Sequence, residues 1–164
     1  MIRLYYDLMF ALSLALMLFY VLLWHKHTDP HITLVFVLVP IVNLAHCMLC
    51  RSQTLGEALL ANKIIYIGGC YLFPIIMLSV FSLCRINVVA WIRVLLFAVS
   101  TAIYACVLSI GKSPIFYKSV ELAWVDGLPL LVKVYGPAHA SFYGLQFACL
   151  LMSLTAMGLS LIHI

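Results

Sequence analysis

Charge is scarce in this chain. Its 164 residues carry nine Lys and Arg and five Asp and Glu, while 66% are hydrophobic, for a mean hydropathy of +1.19. A soluble domain of this length needs far more charge to cover its surface. The bilayer is the solvent that fits, so an integral membrane protein is expected. The formal net charge of +4 is modest, and the basic residues stand singly in short connections. No basic run points to nucleic acid as a partner.

Groups that carry chemistry are sparse as well. There is no Ser/His/Asp set, no pair of carboxylates within one span and no phosphate loop. The five carboxylates and six histidines are too dispersed to name an acid–base pair. No catalytic residue, cofactor or metal site is therefore expected, and the chain is not read as an enzyme by itself. Cys47, Cys50, Cys70, Cys84, Cys106 and Cys149 sit mostly inside apolar stretches, where cysteine packs as a small, soft hydrophobe. Their spacing gives no disulfide framework. "HCMLC" does gather His46, Cys47 and Cys50, but a structural zinc site wants four ligands and no second pair is near. "HKHTDPH" sets His25, His27 and His31 around Asp29, a group able to titrate near neutral pH, and is read as an interfacial loop. Asp7 and Gln146 are polar residues near or inside apolar segments. Such groups are functional hypotheses by default, although Asp7 is close enough to a helix end to reach water.

What the chain has is long apolar runs. About twenty apolar residues cross a bilayer as a helix, and five segments qualify: residues 4–24, 32–50, 59–84, 87–110 and 138–158. The first follows a single basic residue, Arg3. It exceeds a signal-peptide core and lacks a cleavage pattern, so it reads as an uncleaved span. Asp29-Pro30 breaks the chain before the second span, and Pro40 is expected to kink it. "TLGE" is a capping box: the Thr54 hydroxyl can accept from the Glu57 amide, and the Glu57 carboxylate can reach back. Glu57, Asn62 and Lys63 place the first turns of the third helix above the membrane plane. Further along, Gly68-Gly69 permits close backbone approach, and Pro74 removes a backbone donor.

The long connection between the fourth and fifth spans reads as a β-hairpin over residues 116–135. Asp126-Gly127 suits a primed two-residue turn. Val120, Leu122 and Trp124 alternate with Ser119, Glu121 and Ala123, and Leu130, Val132 and Val134 with Leu131, Lys133 and Tyr135. Pro129 lacks an amide donor and belongs at a strand start or on an edge. The expected fold is an all-α membrane protein of five transmembrane helices with this one hairpin.

Two stretches carry a family resemblance. "ANKIIYIGGCYLFPIIMLSVFSLC" resembles the third helix of the N-terminal seven-transmembrane region of bacterial histidine kinases, at Lys63, Tyr66, Gly68, Phe73 and Pro74. "IFYKSVELAWVDGLPLLVKVYGPAHASFY" is similar to the hairpin of a clostridial-type branch of that family. Phe116, Tyr117, Lys118, Val120 and Glu121 lead into its turn, and Lys133, Tyr135, Gly136, Pro137 and His139 follow. The resemblance covers nearly the whole chain in order, with the hairpin its specific part. It departs after the fourth span, where many members carry Asn-x-x-His and "STAIYACVLSIGK" does not, so no ligand role carries over to that region.

The resemblance implies a seven-helix bundle of which residues 1–158 supply five helices. It also implies a sensory role, with a diguanylate cyclase (GGDEF) or histidine kinase output and a homodimer formed through that output domain. The implied setting is the bacterial inner membrane, with the N-terminus and hairpin outside and a ligand reaching the module from outside or from the membrane. Lys63, Tyr66, Gly68, Pro74, Glu121, Lys133, Tyr135, Gly136, Pro137 and His139 are then the expected sensing or packing positions. The charge count leans the other way: six Lys and Arg lie on the N-terminal side and three opposite, a bias that disappears when the hairpin connection is left out. Residues 159–164 also match the translation of a transposon-end sequencing adaptor, and are expected to be an artefact, with His163 no ligand candidate. The competing function is a small transporter or transporter subunit, which would show broken helices in matched halves. No internal repeat supplies such halves.

Overall fold

The computed structural model describes residues 1–23 and 29–162. These form five helices and one two-stranded sheet: α1 (Ile2–Leu22), α2 (Pro30–Arg51), α3 (Leu55–Leu83), α4 (Ala90–Leu108), β1 (Tyr117–Val125), β2 (Leu128–Tyr135) and α5 (Ala138–Ile162). All five helices are long and apolar enough to span a bilayer, and the chain is a multi-pass membrane protein. At 1.5 Å per residue α1 is about 32 Å long, close to the hydrocarbon thickness, whereas the 29 residues of α3 reach about 43 Å. The polar residues Glu57, Asn62 and Lys63 all lie in the N-terminal third of α3.

Local chemistry sets the boundaries. Asp29 caps α2, its side chain accepting from the His31 amide at 2.7 Å, and Pro30 follows at the first helical position, where its missing N–H costs nothing. The helix therefore begins two residues before the expected 32. Thr54 caps α3 and accepts from the Glu57 amide at 3.3 Å. The Glu57 carboxylate reaches one residue past the cap to the Gln53 amide, at 2.8 Å, a shifted form of the expected box.

At its other end α3 closes with two backbone bonds, Ile86 N–H to Phe81 O at 2.8 Å and Arg85 N–H to Ser82 O at 3.0 Å. Arg85 takes the left-handed conformation (φ 58°) that this cap requires. The cap carries the chain away from helix geometry, so α4 starts at Ala90 and not at 87. Asp126 (φ 51°) and Gly127 (φ 71°) form the expected primed turn. Pro129 is the second residue of β2, opposite Trp124. At the far end α5 runs through to Ile162.

α3 is the centre of the bundle. Ten of its residues are buried, against one, Ser13, on α1. It packs against α2, α4 and α5, while α1 lies against α2. Small residues line these contacts: Ala45, Ala58, Ala61 and Cys70 are fully buried, the pattern that lets membrane helices approach closely. A Cβ on Gly68 would run into the Val42 side chain of α2, and one on Gly69 would meet the Phe142 ring of α5 at 2.9 Å.

Polar links join neighbouring helices. Asn43 donates to Ser13 Oγ at 3.0 Å between α2 and α1, the Tyr71 and Thr101 hydroxyls meet at 3.0 Å between α3 and α4, and Gln146 Nε2 donates to Gly69 O at 3.2 Å between α5 and α3. Arg51 grips Asp7 with bonds of 2.7 and 2.8 Å at the exposed end of the α1–α2 pair.

The hairpin lies across one end of the bundle. Its strands pair antiparallel, with a bulge between Tyr117 and Ser119. At its tip Arg3 of α1 donates to Gly127 O at 3.3 Å, so the N-terminus and the hairpin share a side.

Candidate ligand site beneath the hairpin

Strand alternation divides the hairpin into two faces. On β2, Leu131 is buried and Lys133 half-buried, while Leu130, Val132 and Val134 are exposed. Lys133 therefore turns toward the bundle. Asn62 and Tyr66, one helical turn apart on α3, share a face. Lys133 Nζ donates to Asn62 Oδ1 at 2.8 Å and lies 5.5 Å from the centre of the Tyr117 ring. The Tyr66 and Tyr117 hydroxyls share a hydrogen bond of 2.7 Å, and the Tyr66 hydroxyl is 3.2 Å from His139 Nε2 on α5.

An aromatic box holds this triad. His139 is 3% exposed and stacks on Tyr135 with ring centres 3.9 Å apart. Phe116, fully buried, packs edge-on against Tyr66 at 5.1 Å, and Phe142 does the same at 4.9 Å.

The base of the hairpin is fixed by Gly136 and Pro137. The Gly136 amide donates to Phe116 O at 2.8 Å, extending the strand pairing, and a Cβ there would strike the carbonyls of Ile115 and Pro114. Pro137 has no amide to continue the ladder, and the chain turns into α5.

Beside this cluster is a cavity of about 330 Å³ between α2, α3, β2 and α5. Its polar lining is His46, Asn62, Tyr66 and Lys133; the remainder is apolar, including Val42, Ile65, Leu72 and Phe73. Asn62 is 2% exposed, and its Nδ2 has no hydrogen-bond partner among the described residues. The Asn62 amide is near enough to the Tyr117 hydroxyl to favour its ionised form, but not in hydrogen-bonding geometry. Burial raises Tyr117 above the ordinary phenol range, against the opposing pull of Tyr66 and Asn62. Burial also holds Lys133 below the ordinary lysine range. A second groove, of about 450 Å³, runs along Leu59, Lys112, Lys118 and Glu121; it mixes both signs of charge.

The expected positions divide accordingly. Tyr66, Gly68, Lys133, Tyr135, Gly136, Pro137 and His139 converge at the hairpin base and the cavity beside it. Lys63 lies one residue off the Asn62–Tyr66 face and does not line this cavity. Glu121 pairs with Val132 on the outward side of the hairpin. Pro74 is buried in α3, a turn and more beyond Gly69.

Asn62 was missed as a site residue; its signal was a polar residue four before Tyr66 on an otherwise apolar helix. His46 lines the cavity and stacks on Tyr6 at 5.2 Å, while Cys47 donates to Tyr6 O at 3.3 Å. The Cys-x-x-Cys element thus turns partly to α1, and among the described residues no group of three metal-ligating side chains converges. His25 and His27, and at the other end His163, lie outside the described residues. No family model, curated protein or solved structure matches the chain.

Proposed function

We propose that this chain is the membrane-embedded input module of a bacterial signal-transduction receptor, with a diguanylate cyclase or histidine kinase as its output. In this reading the five spans are the first five of a seven-helix sensor in the inner membrane, with the N-terminus and hairpin outside. The resemblance in the third helix and the hairpin motivates it. The observation that carries it is the cavity bounded jointly by α2, α3, α5 and the hairpin. A ligand there touches four elements at once. It can favour one helix arrangement only through a difference in affinity between arrangements, and contact with several elements supplies that difference.

The reading frame downstream of residue 158 tests the proposal. A frame that continues through two further spans into a GGDEF signature or a histidine-acceptor helix supports it; a natural stop codon there overturns it. A reporter fused after Arg85 tests the orientation, with cytoplasmic activity expected and periplasmic activity contradicting it.

A further inference from the structure

The cavity beneath the hairpin has more donors than acceptors. Lys133 Nζ carries three N–H groups and spends one on Asn62 Oδ1. Asn62 Nδ2 carries two and spends none, although the residue is 2% exposed. A buried amide without a partner is costly, and no carboxylate lines the cavity to accept from either group. The Tyr66 hydroxyl is already engaged by Tyr117 and His139. An acceptor with negative charge in the cavity would satisfy the N–H groups that Lys133 has left.

Apart from His46, the rest of the lining is apolar and extends along α2 and α3 to Val42 and Leu72, into the spans. Phe73, at that end, is 36% exposed, so the apolar part opens to the surface of the five-helix bundle. At about 330 Å³ the cavity is near the lower end for small-molecule sites, room for one chain and not two.

We propose that this cavity binds an anionic amphiphile, its oxyanion head accepting from Lys133 Nζ and one hydrocarbon chain lying along the wall formed by Val42, Ile65 and Leu72. The inference supplies a ligand class for the sensor reading. The head has two sources, a free single-chain carboxylate or the phosphate of a membrane lipid.

Equilibrium dialysis of labelled octanoate against the chain in phosphatidylcholine nanodiscs, with empty discs subtracted, tests it. Saturable uptake is expected, weakened about tenfold or more by Lys133→Met, because a hydrogen bond to a charged group is lost. Lys133→Arg and the exposed hairpin variant Lys118→Met should keep it. Thermal unfolding of each variant separates lost binding from lost folding, and Lys133→Arg retains the cation where Lys133→Met fails to fold.

A second set of discs contains phosphatidylglycerol. Octanoate uptake suppressed there, with phosphatidylglycerol retained through detergent extraction by the wild type but not by Lys133→Met, supports the lipid source. Equal uptake by wild type and Lys133→Met, or no saturable uptake together with no Lys133-dependent lipid retention, overturns the proposal. Uptake is read on the chain alone, so the ligand class and the sensor role fail separately.

Discussion

Gly136 stands where the hairpin becomes α5, with two backbone carbonyls closing over the place a side chain would occupy. Backbone cannot swing aside as a side chain can. Gly136→Ala should therefore destabilise the fold by about 1–3 kcal/mol, the usual cost of overpacking, read as a lower thermal unfolding midpoint in detergent; an unchanged midpoint contradicts the close approach. Tyr66 is a second decisive residue, because its hydroxyl serves both Tyr117 and His139. Tyr66→Phe leaves two buried polar groups without that partner and should cost about 1–3 kcal/mol. A double-mutant cycle with Tyr117→Phe should be non-additive; strictly additive losses would mean that the hydroxyls do not act together. Lys133 gives a pH signature. The titratable groups facing it are His46 of α2, Tyr66 of α3, Tyr117 of β1 and His139 of α5. Burial lowers its proton affinity in the folded state, so between the lowered and ordinary values the unfolded chain binds more protons. Its contribution to stability therefore rises with pH across that window. Octanoate affinity has the opposite sign, falling as pH climbs through the lowered value when the cation is lost. A profile that falls only in the ordinary lysine range contradicts burial of this group.

At the level of elements, much of the architecture was legible and the reasons are local. Spans follow from the length of apolar runs, the hairpin from Asp126-Gly127 and its flanking alternation, and the start of α3 from Thr54 and Glu57. The errors were local too. The apolar run predicts α4 from residue 87, whereas it starts at Ala90, because nothing in "LCRINVV" announces that Arg85 adopts a left-handed cap. That cap yields a prediction: Arg85→Gly relieves the steric cost of a side chain at positive φ and should stabilise by up to about 1 kcal/mol, less what glycine adds to the freedom of the unfolded chain. A lower unfolding midpoint for this variant contradicts the cap. Alternation defined two faces of β2 but not which one meets the bundle. That choice depends on Asn62, 71 residues away from Lys133 in the chain, and no local pattern encodes a pairing at that distance.

For the whole molecule, the arrangement is a central α3 ringed by α2, α4 and α5, with a hairpin fastened across one end. The fastenings reach three helices: Arg3 on α1 and Asn62 and Tyr66 on α3 by hydrogen bonds, and His139 on α5 by stacking on Tyr135. A hydrogen bond contributes about 0.5–1.5 kcal/mol net, so no one link fixes the hairpin and the set positions it together. A ligand bound among them can therefore alter the packing of several helices with a modest difference in affinity. The most direct test of the proposed sensor role is the signalling output of the proposed longer receptor carrying Lys133→Ala and, separately, Tyr135→Ala, measured as cyclic di-GMP or phosphorylated kinase across growth conditions. Both variants are expected to fix the output at one level whatever the condition. Output that follows conditions as in the wild type would contradict it.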